Sequence, residues 1–276
     1  MINEKRQSGV TLTEMTIVIS IAALMIALAV PTTNMLLNSF ESESGAKSII
    51  NAALASARAI AAKEQRYAGI RFQKIYDPDN PIHSSQYIVF IIYDYDKTGL
   101  ENGFRAADGI QPIKLPDSIA VTDMLYEPNN VTPRGDGYLN SETEIKNTQL
   151  ITDATTFSIV FSPSGKLISH EVRIRNRDGY TATSSSNYSN DDIFNRISQI
   201  QAGIGMFLQD DYYADYTGSS VTNLGIGPEF SRNYFYIYET KKYKDACSIN
   251  SPWTGYLSKI KPVYINPYTG TIINQK

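Results

Sequence analysis

Cysteine is nearly absent. Cys247 is the only one in the chain, which excludes an intramolecular disulfide, a cysteine-stapled secreted scaffold and a cysteine-built zinc site. Histidine is almost as scarce. His83 falls in a turn and His170 in a strand-like stretch, and neither has a neighbouring cysteine or paired acid at metal-ligand spacing. No GxSxG, HExxH or GxxxxGK-Ser/Thr pattern occurs, and "SPSGKL" lacks the first glycine of a phosphate loop, so it reads as a turn. These absences leave no catalytic residue to nominate and point away from an enzyme. No run of five or more basic residues appears either. With 25 Lys+Arg against 28 Asp+Glu and a net charge of -3, nucleic acid is not the implied partner.

What the 276 residues do contain is enough chain for a self-sufficient core and one long apolar run near the start. Lys5 and Arg6 precede it, and positive charge ahead of a first hydrophobic segment holds that end in the cytoplasm, which places the rest of the chain outside. Residues 10–31 number 22; as a helix they would span roughly 33 Å, close to the hydrocarbon thickness of a bilayer. Three readings compete. Ala27-Leu28-Ala29 has the small-x-small pattern of a signal peptidase site; a permanent signal anchor needs no cut; a third reading makes use of Glu14.

The helical pattern runs on past residue 31, through Leu36, Phe40, Ile50, Leu54, Ala57 and Ala61. It predicts one long helix leaving the membrane, bent at Pro31, loosened at Gly45, with an amphipathic continuation over residues 32–66 that needs a sheet to lie on. Within the apolar span an ionised Glu14 costs about a few kcal/mol unless paired. No Lys, Arg or His occurs between Val10 and Leu37. A free amino group at Val10, made by cutting after Gly9, would supply the cation to a staggered neighbouring helix; the other place for Glu14 is the head-group layer.

A short basic leader ending in Gly9, then "VTLTE" and about seventeen apolar residues closing at Pro31, resembles the N-terminus of type IV pilins and type II secretion pseudopilins over roughly residues 1–65. The resemblance implies a prepilin peptidase that cuts after Gly9 and N-methylates Val10, with Glu14 at the family's fifth-position glutamate and Pro31 at its helix-kinking proline. Val10 departs from the commoner phenylalanine or methionine. "AALASARAIAAKEQRYAGIRF" with "FSIVFSPSGKL" is similar to the H-type pseudopilins and FimT-like minor pilins, over about forty residues.

Beyond the helix the period changes to two. "YAGIRFQKIY", "QYIVFIIYDY", "QPIKLPDSIAVTDM" and "TTFSIVFSPSGKLISHEVRIRN" read as strands, the last with a hairpin turn at Pro163-Ser164-Gly165. Polar loops are expected near 127–150 and 177–192 and a short helix near 191–209, where Ile193, Ile197, Ile200, Ile204 and Phe207 fall at helical spacing although Gly203 and Gly205 weaken it. Strands return in "NYFYIYET", "KPVYIN" and "TIIN". Tyr234, Tyr236 and Tyr238 alternate with Phe235 and Ile237, as a two-faced sheet requires, and stacking on a sugar or partner is the other use for them. Asp94, Asp96 and Glu101 surround a glycine turn and are the calcium candidate, though without EF-hand spacing. Otherwise no cofactor is called for. Arg134-Gly135-Asp136 spells an adhesion tripeptide that chance supplies.

The expectation is an α+β, pilin-like fold: leader 1–9, transmembrane or filament-core helix 10–31, amphipathic helix 32–66, and an antiparallel β-rich domain 67–276. Such a chain would be a single-pass protein of the bacterial inner membrane with its C-terminal domain outside the cytoplasm. It would act as a structural subunit, a minor pilin or pseudopilin. The resemblance implies other subunits, prepilin peptidase, the inner-membrane assembly platform and the membrane as partners. The alternative is a monomeric, signal-anchored β-domain that binds polysaccharide or a partner protein.

Overall fold

The computed structural model describes residues 13, 15–21, 25, 42–77, 79–80, 84–126, 137–181, 188–210 and 229–273. Helix α1 spans Glu43–Glu64. In chain order the strands are β1 Ala68–Lys74, β2 Gln86–Tyr93, β3 Gly103–Ala106, β4 Ile113–Lys114, β5 Ile119–Thr122, β6 Leu125–Tyr126, β7 Gly137–Tyr138 and β8 Phe157–Phe161. They continue with β9 Leu167–Ile168, β10 Glu171–Ile174, β11 Phe194–Asn195, β12 Phe207–Leu208, β13 Glu229–Phe230, β14 Tyr234–Glu239, β15 Val263–Ile265 and β16 Ile272–Ile273.

Eight strands form the main sheet in the order β13-β10-β3-β2-β1-β8-β9, with β4 also paired to β2. A four-stranded sheet runs β16-β15-β14-β5. The all-apolar run of β2 follows from its position, because both faces of a central strand are covered. Ile88, Phe90 and Ile92 join the cluster that α1 buries, together with Ile50, Leu54, Phe72 and Phe157. Val89 and Ile91 pack on the opposite side with Phe104, Val160, Phe194 and Phe207. Helix α1 presents a face of small residues to the sheet, Ala46, Ala53, Ala57 and Ala61, each no more than 1% exposed; methyl-sized side chains let the helix lie close to β1 and β2. Arg58 fixes the helix laterally, donating from Nε to the Gly165 carbonyl at 2.8 Å and from Nη1 to the Thr269 carbonyl at 3.2 Å. Gly165 takes φ +74 in the β8–β9 turn, a conformation that favours glycine. Asn51 Oδ1 accepts from the Ile272 N–H, so the C-terminal hairpin is tied to the same helix.

The structure corrects the expected fold in several places. The domain is mixed α/β around a large sheet, and that sheet is not purely antiparallel, since β10 lies parallel to β3; β11 and β12 form a separate parallel pair. Helix α1 is no extension of an upstream helix. Ser42 is extended, at φ -87 and ψ 166, and its hydroxyl accepts from the Gly45 N–H, so Ser42 is an N-cap and Gly45 belongs to the first turn it closes. The long transmembrane-plus-amphipathic helix is therefore withdrawn, and with it the single-pass placement in an inner membrane. No helix among the described residues is long and apolar enough to cross a membrane; the longest described apolar stretch near the start is residues 15–21, which at 1.5 Å per residue covers about 10 Å.

The helix expected near 191–209 shrinks to Ile197–Gln201 between β11 and β12, and Gly203 at φ +84 ends it. Within the loop expected over 127–150, β7 pairs antiparallel with β6 just ahead of it, and Leu139 and Ile145 are buried to 1% and 0% exposure. Within 177–192, Ser189 and Asp191 are buried as well, by hydrogen bonds rather than apolar contact: Ser189 Oγ donates to Asp178, and Asp191 accepts from the N–H groups of Arg177 and Ile193.

Candidate functional site

Of the residues nominated for assembly, Gly9, Val10, Glu14 and Pro31 lie outside the described residues. Their described neighbours, Thr13, residues 15–21 and Met25, are helical and exposed. Met15, Ile17, Val18, Ile19, Ile21 and Met25 present 54–66% of their surfaces to solvent. These six apolar side chains are gathered on one short stretch, whereas the other exposed large hydrophobics among the described residues are scattered between Tyr95 and Ile273, and such a concentration of area is stabilised only when something covers it.

Where the chain enters the domain, the first turn of α1 borders a cleft of about 380 Å³. Its floor is apolar, from Ile237 of β14, Val263 of β15 and Ile272 of β16, and its rim is charged. Lys47 pairs with Glu43 at 2.7 Å on the helix side, and Lys242 with Glu239 on the other. Tyr256 braces the wall by accepting the Glu239 N–H at 2.7 Å, and burial raises its hydroxyl pKa. An apolar floor with paired charges at the rim suits a protein segment of mixed polarity better than a small charged metabolite.

The calcium candidate does not come together. Asp94 caps the short helix Tyr95–Thr98, accepting the Lys97 N–H, and its other oxygen receives Arg105 at 2.7 Å and Arg66 at 3.4 Å. These two cations and the hydrogen bonds hold the Asp94 carboxyl below its usual range against the opposing effect of burial. Asp96 and Glu101 point to solvent. No group of three or more metal-ligating side chains forms among the described residues. His170 is structural in its contacts, stacked 4.4 Å from Tyr67 with Nδ1 against the Glu171 carbonyl. His83 and the Arg134-Gly135-Asp136 tripeptide lie outside the described residues.

The tyrosine alternation of β14 is realised as a two-faced strand. Phe235 and Ile237 join the helix-side core, while Tyr238 is 4% exposed and packs edge-on to Tyr243 at 5.5 Å in a third cluster with Leu139, Ile145 and Leu257. Tyr243 donates to the Ile145 carbonyl. Burial pushes the Tyr234 hydroxyl up to about 12, and those of Tyr238 and Tyr243 upward as well. A phenol whose folded pKa exceeds its unfolded value contributes stability that is fully present below the unfolded pKa, about 10, and is lost as pH rises through the folded one. Unfolding is accordingly expected to set in above about pH 10 and to coincide with a steep rise in tyrosinate absorbance. Gradual ionisation without loss of circular dichroism would mean these hydroxyls are solvated.

One cluster escaped sequence reasoning. Arg71 on β1 is fully buried, with Nη1 donating to Glu229 at 2.8 Å and to Ser158 at 3.2 Å, Nη2 to Asp210 at 3.1 Å, and Nε to Gln73 at 2.8 Å. Asp210 also accepts the Ile174 N–H, and Gln73 donates to the Leu208 carbonyl. The signal was present in "AGIRFQK", where Arg71 and Gln73 share one face of an otherwise apolar strand; the partners, 139 and 158 residues away, were not. No family model, curated protein or solved structure matches this chain.

Proposed function

We propose that this chain is a structural subunit of a pilus-like filament, a pilin or pseudopilin, cut after Gly9 by a prepilin peptidase and assembled through its N-terminal segment. The observation that carries the reading is the exposed apolar stretch: Met15, Ile17, Val18, Ile19, Ile21 and Met25 are helical and more than half exposed in the single chain. Packing such segments of successive subunits against one another removes that area from water, at about 25 cal/mol per Å². Glu14 falls inside this stretch. A carboxylate in an apolar filament core is tolerated only when a cation faces it, and the amine freed at Val10 of a neighbouring subunit is such a cation. The resemblance of "SGVTLTE" and the run after it to processed pilin N-termini supports the same reading.

Two measurements test it. Intact mass and N-terminal sequencing of protein from its native source should give a terminus at N-methylated Val10. Glu14→Ala should leave the folded domain unchanged by circular dichroism yet drop out of sheared filaments by tenfold or more, as loss of about 1.4 kcal/mol per contact implies. An intact Met1, or normal incorporation of the variant, sinks the proposal.

A further inference from the structure

On its inner face the four-stranded sheet is covered by α1, through Phe235, Ile237, Val263 and Ile265. The outer face is a different surface. Tyr234 of β14 stands directly opposite Tyr264 of β15, and Tyr236 follows two residues along β14 on the same side. The rings touch one another: Tyr234 lies edge-on to Tyr236 with centroids 5.9 Å apart, and tilted against Tyr264 at 6.0 Å. Tyr138 of β7 is far away in sequence but joins them here, near enough for its hydroxyl to act on those of Tyr234 and Tyr236. Tyr138 and Tyr264 are 55% and 40% exposed, while Tyr234 and Tyr236 are half-buried. None of the four hydroxyls has a hydrogen-bond partner in the protein, although a partly buried phenol ordinarily finds one. Asp123 and Arg232, the charged pair beside the rings, are joined at 2.7 Å with side chains 2% and 11% exposed, so neither is presented to a ligand.

We propose that this face binds a neutral glycan, an extended chain of hexopyranose units, by stacking sugar rings on Tyr264 and Tyr138 and by hydrogen bonds to the hydroxyls of Tyr234 and Tyr236. A pyranose carries C–H groups on its ring faces and hydroxyls around its rim; the C–H groups suit the negative face of an aromatic ring, and each sugar hydroxyl both donates and accepts, as a phenol does. Burial holds the Tyr234 hydroxyl pKa at about 12 and raises that of Tyr236, so both keep their protons at neutral pH. A proline-rich segment also docks on aromatic rings, but proline has no N–H and so leaves the phenol oxygens without a donor. A second protein is the poorer fit by area. With tyrosine rings of about 150–250 Å², the open parts of these four amount to on the order of 300 Å², against about 800 Å² a side in a stable protein interface. This inference stands apart from the filament reading, because all four tyrosines belong to the folded domain.

The test is isothermal titration calorimetry of the full chain with cellohexaose and, separately, chitohexaose, with decaproline as the rival ligand. Saturable binding of at least one hexasaccharide is expected, unchanged from about pH 6 to about pH 9 because the hydroxyls stay protonated throughout. Tyr264→Ala and Tyr138→Ala, on separate strand pairs, should each reduce affinity tenfold or more with circular dichroism unchanged, whereas Tyr264→Phe, which keeps the ring, should retain most of it. Tyr95→Ala removes an equally exposed tyrosine from the short helix Tyr95–Thr98 and should leave binding as it was, as should Glu14→Ala, so the outcome is independent of filament assembly. Absence of saturable binding for both hexasaccharides, binding of decaproline alone, or full affinity in both Tyr264→Ala and Tyr138→Ala overturns the proposal.

Discussion

Arg71→Met is expected to destabilise the domain by about 3–5 kcal/mol, because removing one member of a buried ion cluster leaves the others charged and desolvated without the cation they share. Two carboxylates lose the same cation at once. Asp210 and Glu229 are 0% and 6% exposed and both receive Arg71; Gln73 and Ser158 lose a donor in the same step. Asp210 and Glu229 also stand at the two ends of residues 211–228, so the guanidinium on β1 joins two chain positions 19 apart that no strand pairing connects (210 to 229). Urea denaturation of the full chain would measure the loss. The companion variant Arg71→Met/Asp210→Asn/Glu229→Gln should recover a substantial part of it, since replacing all the charges abolishes the desolvation penalty that breaking the cluster exposes. If Arg71→Met alone stayed within about 1 kcal/mol of the parent, the cluster would have to be open to water.

Gly69→Ala is expected to cost about 3 kcal/mol or more, for a reason of shape alone. Gly69 sits mid-strand in β1, between Ile91 of β2 and Val160 of β8. A methyl group added there would collide with the Ile159 carbonyl oxygen and come within 3.0 Å of the Val160 Cα. Both are backbone atoms in a paired strand, so no rotamer change relieves the contact. Either β8 separates from β1 or the strand bends, and overpacking of this kind ordinarily costs about 1–3 kcal/mol even where side chains can give way. Hydrogen exchange would localise the damage, with faster exchange expected along β1 and β8 and little change in β14 and β15. An unaltered β1–β8 exchange pattern would show that the sheet absorbs the methyl group without separating.

Much of the strand content could be read directly, and for a local reason. β1, β2, β8 and β14 fall within stretches of alternating or continuous β-branched and aromatic residues, and that pattern is written in consecutive side chains. The two faces of β14 were likewise legible from Tyr234 to Tyr238. The start of the long helix was not. Apolar residues recur at helical spacing on both sides of the polar stretch 41–48, yet Ser42 is extended and caps the helix that follows it, since a side-chain oxygen there satisfies an orphan N–H. In the same way Ile193 to Phe207 are spaced for a helix, and yet Phe194 and Phe207 pair side by side as strands, because burial against Phe104 and Val172 decides where they settle.

By itself the sequence determined that this chain has no disulfide of its own, carries no basic block, sets "SGVTLTE" ahead of an apolar run and is rich in two-faced strand patterns. Those properties depend on composition and on neighbours along the chain. Tertiary structure alone decided the parallel pairing of β3 with β10, the Asp94 carboxylate bound to arginine rather than exposed for calcium, the Arg71 cluster and the face shared by Tyr234 and Tyr264. Each joins residues far apart in sequence. Periodicity states which faces are apolar and where a charge interrupts them, whereas the identity of the group that covers the face or answers the charge is settled only when the whole chain packs.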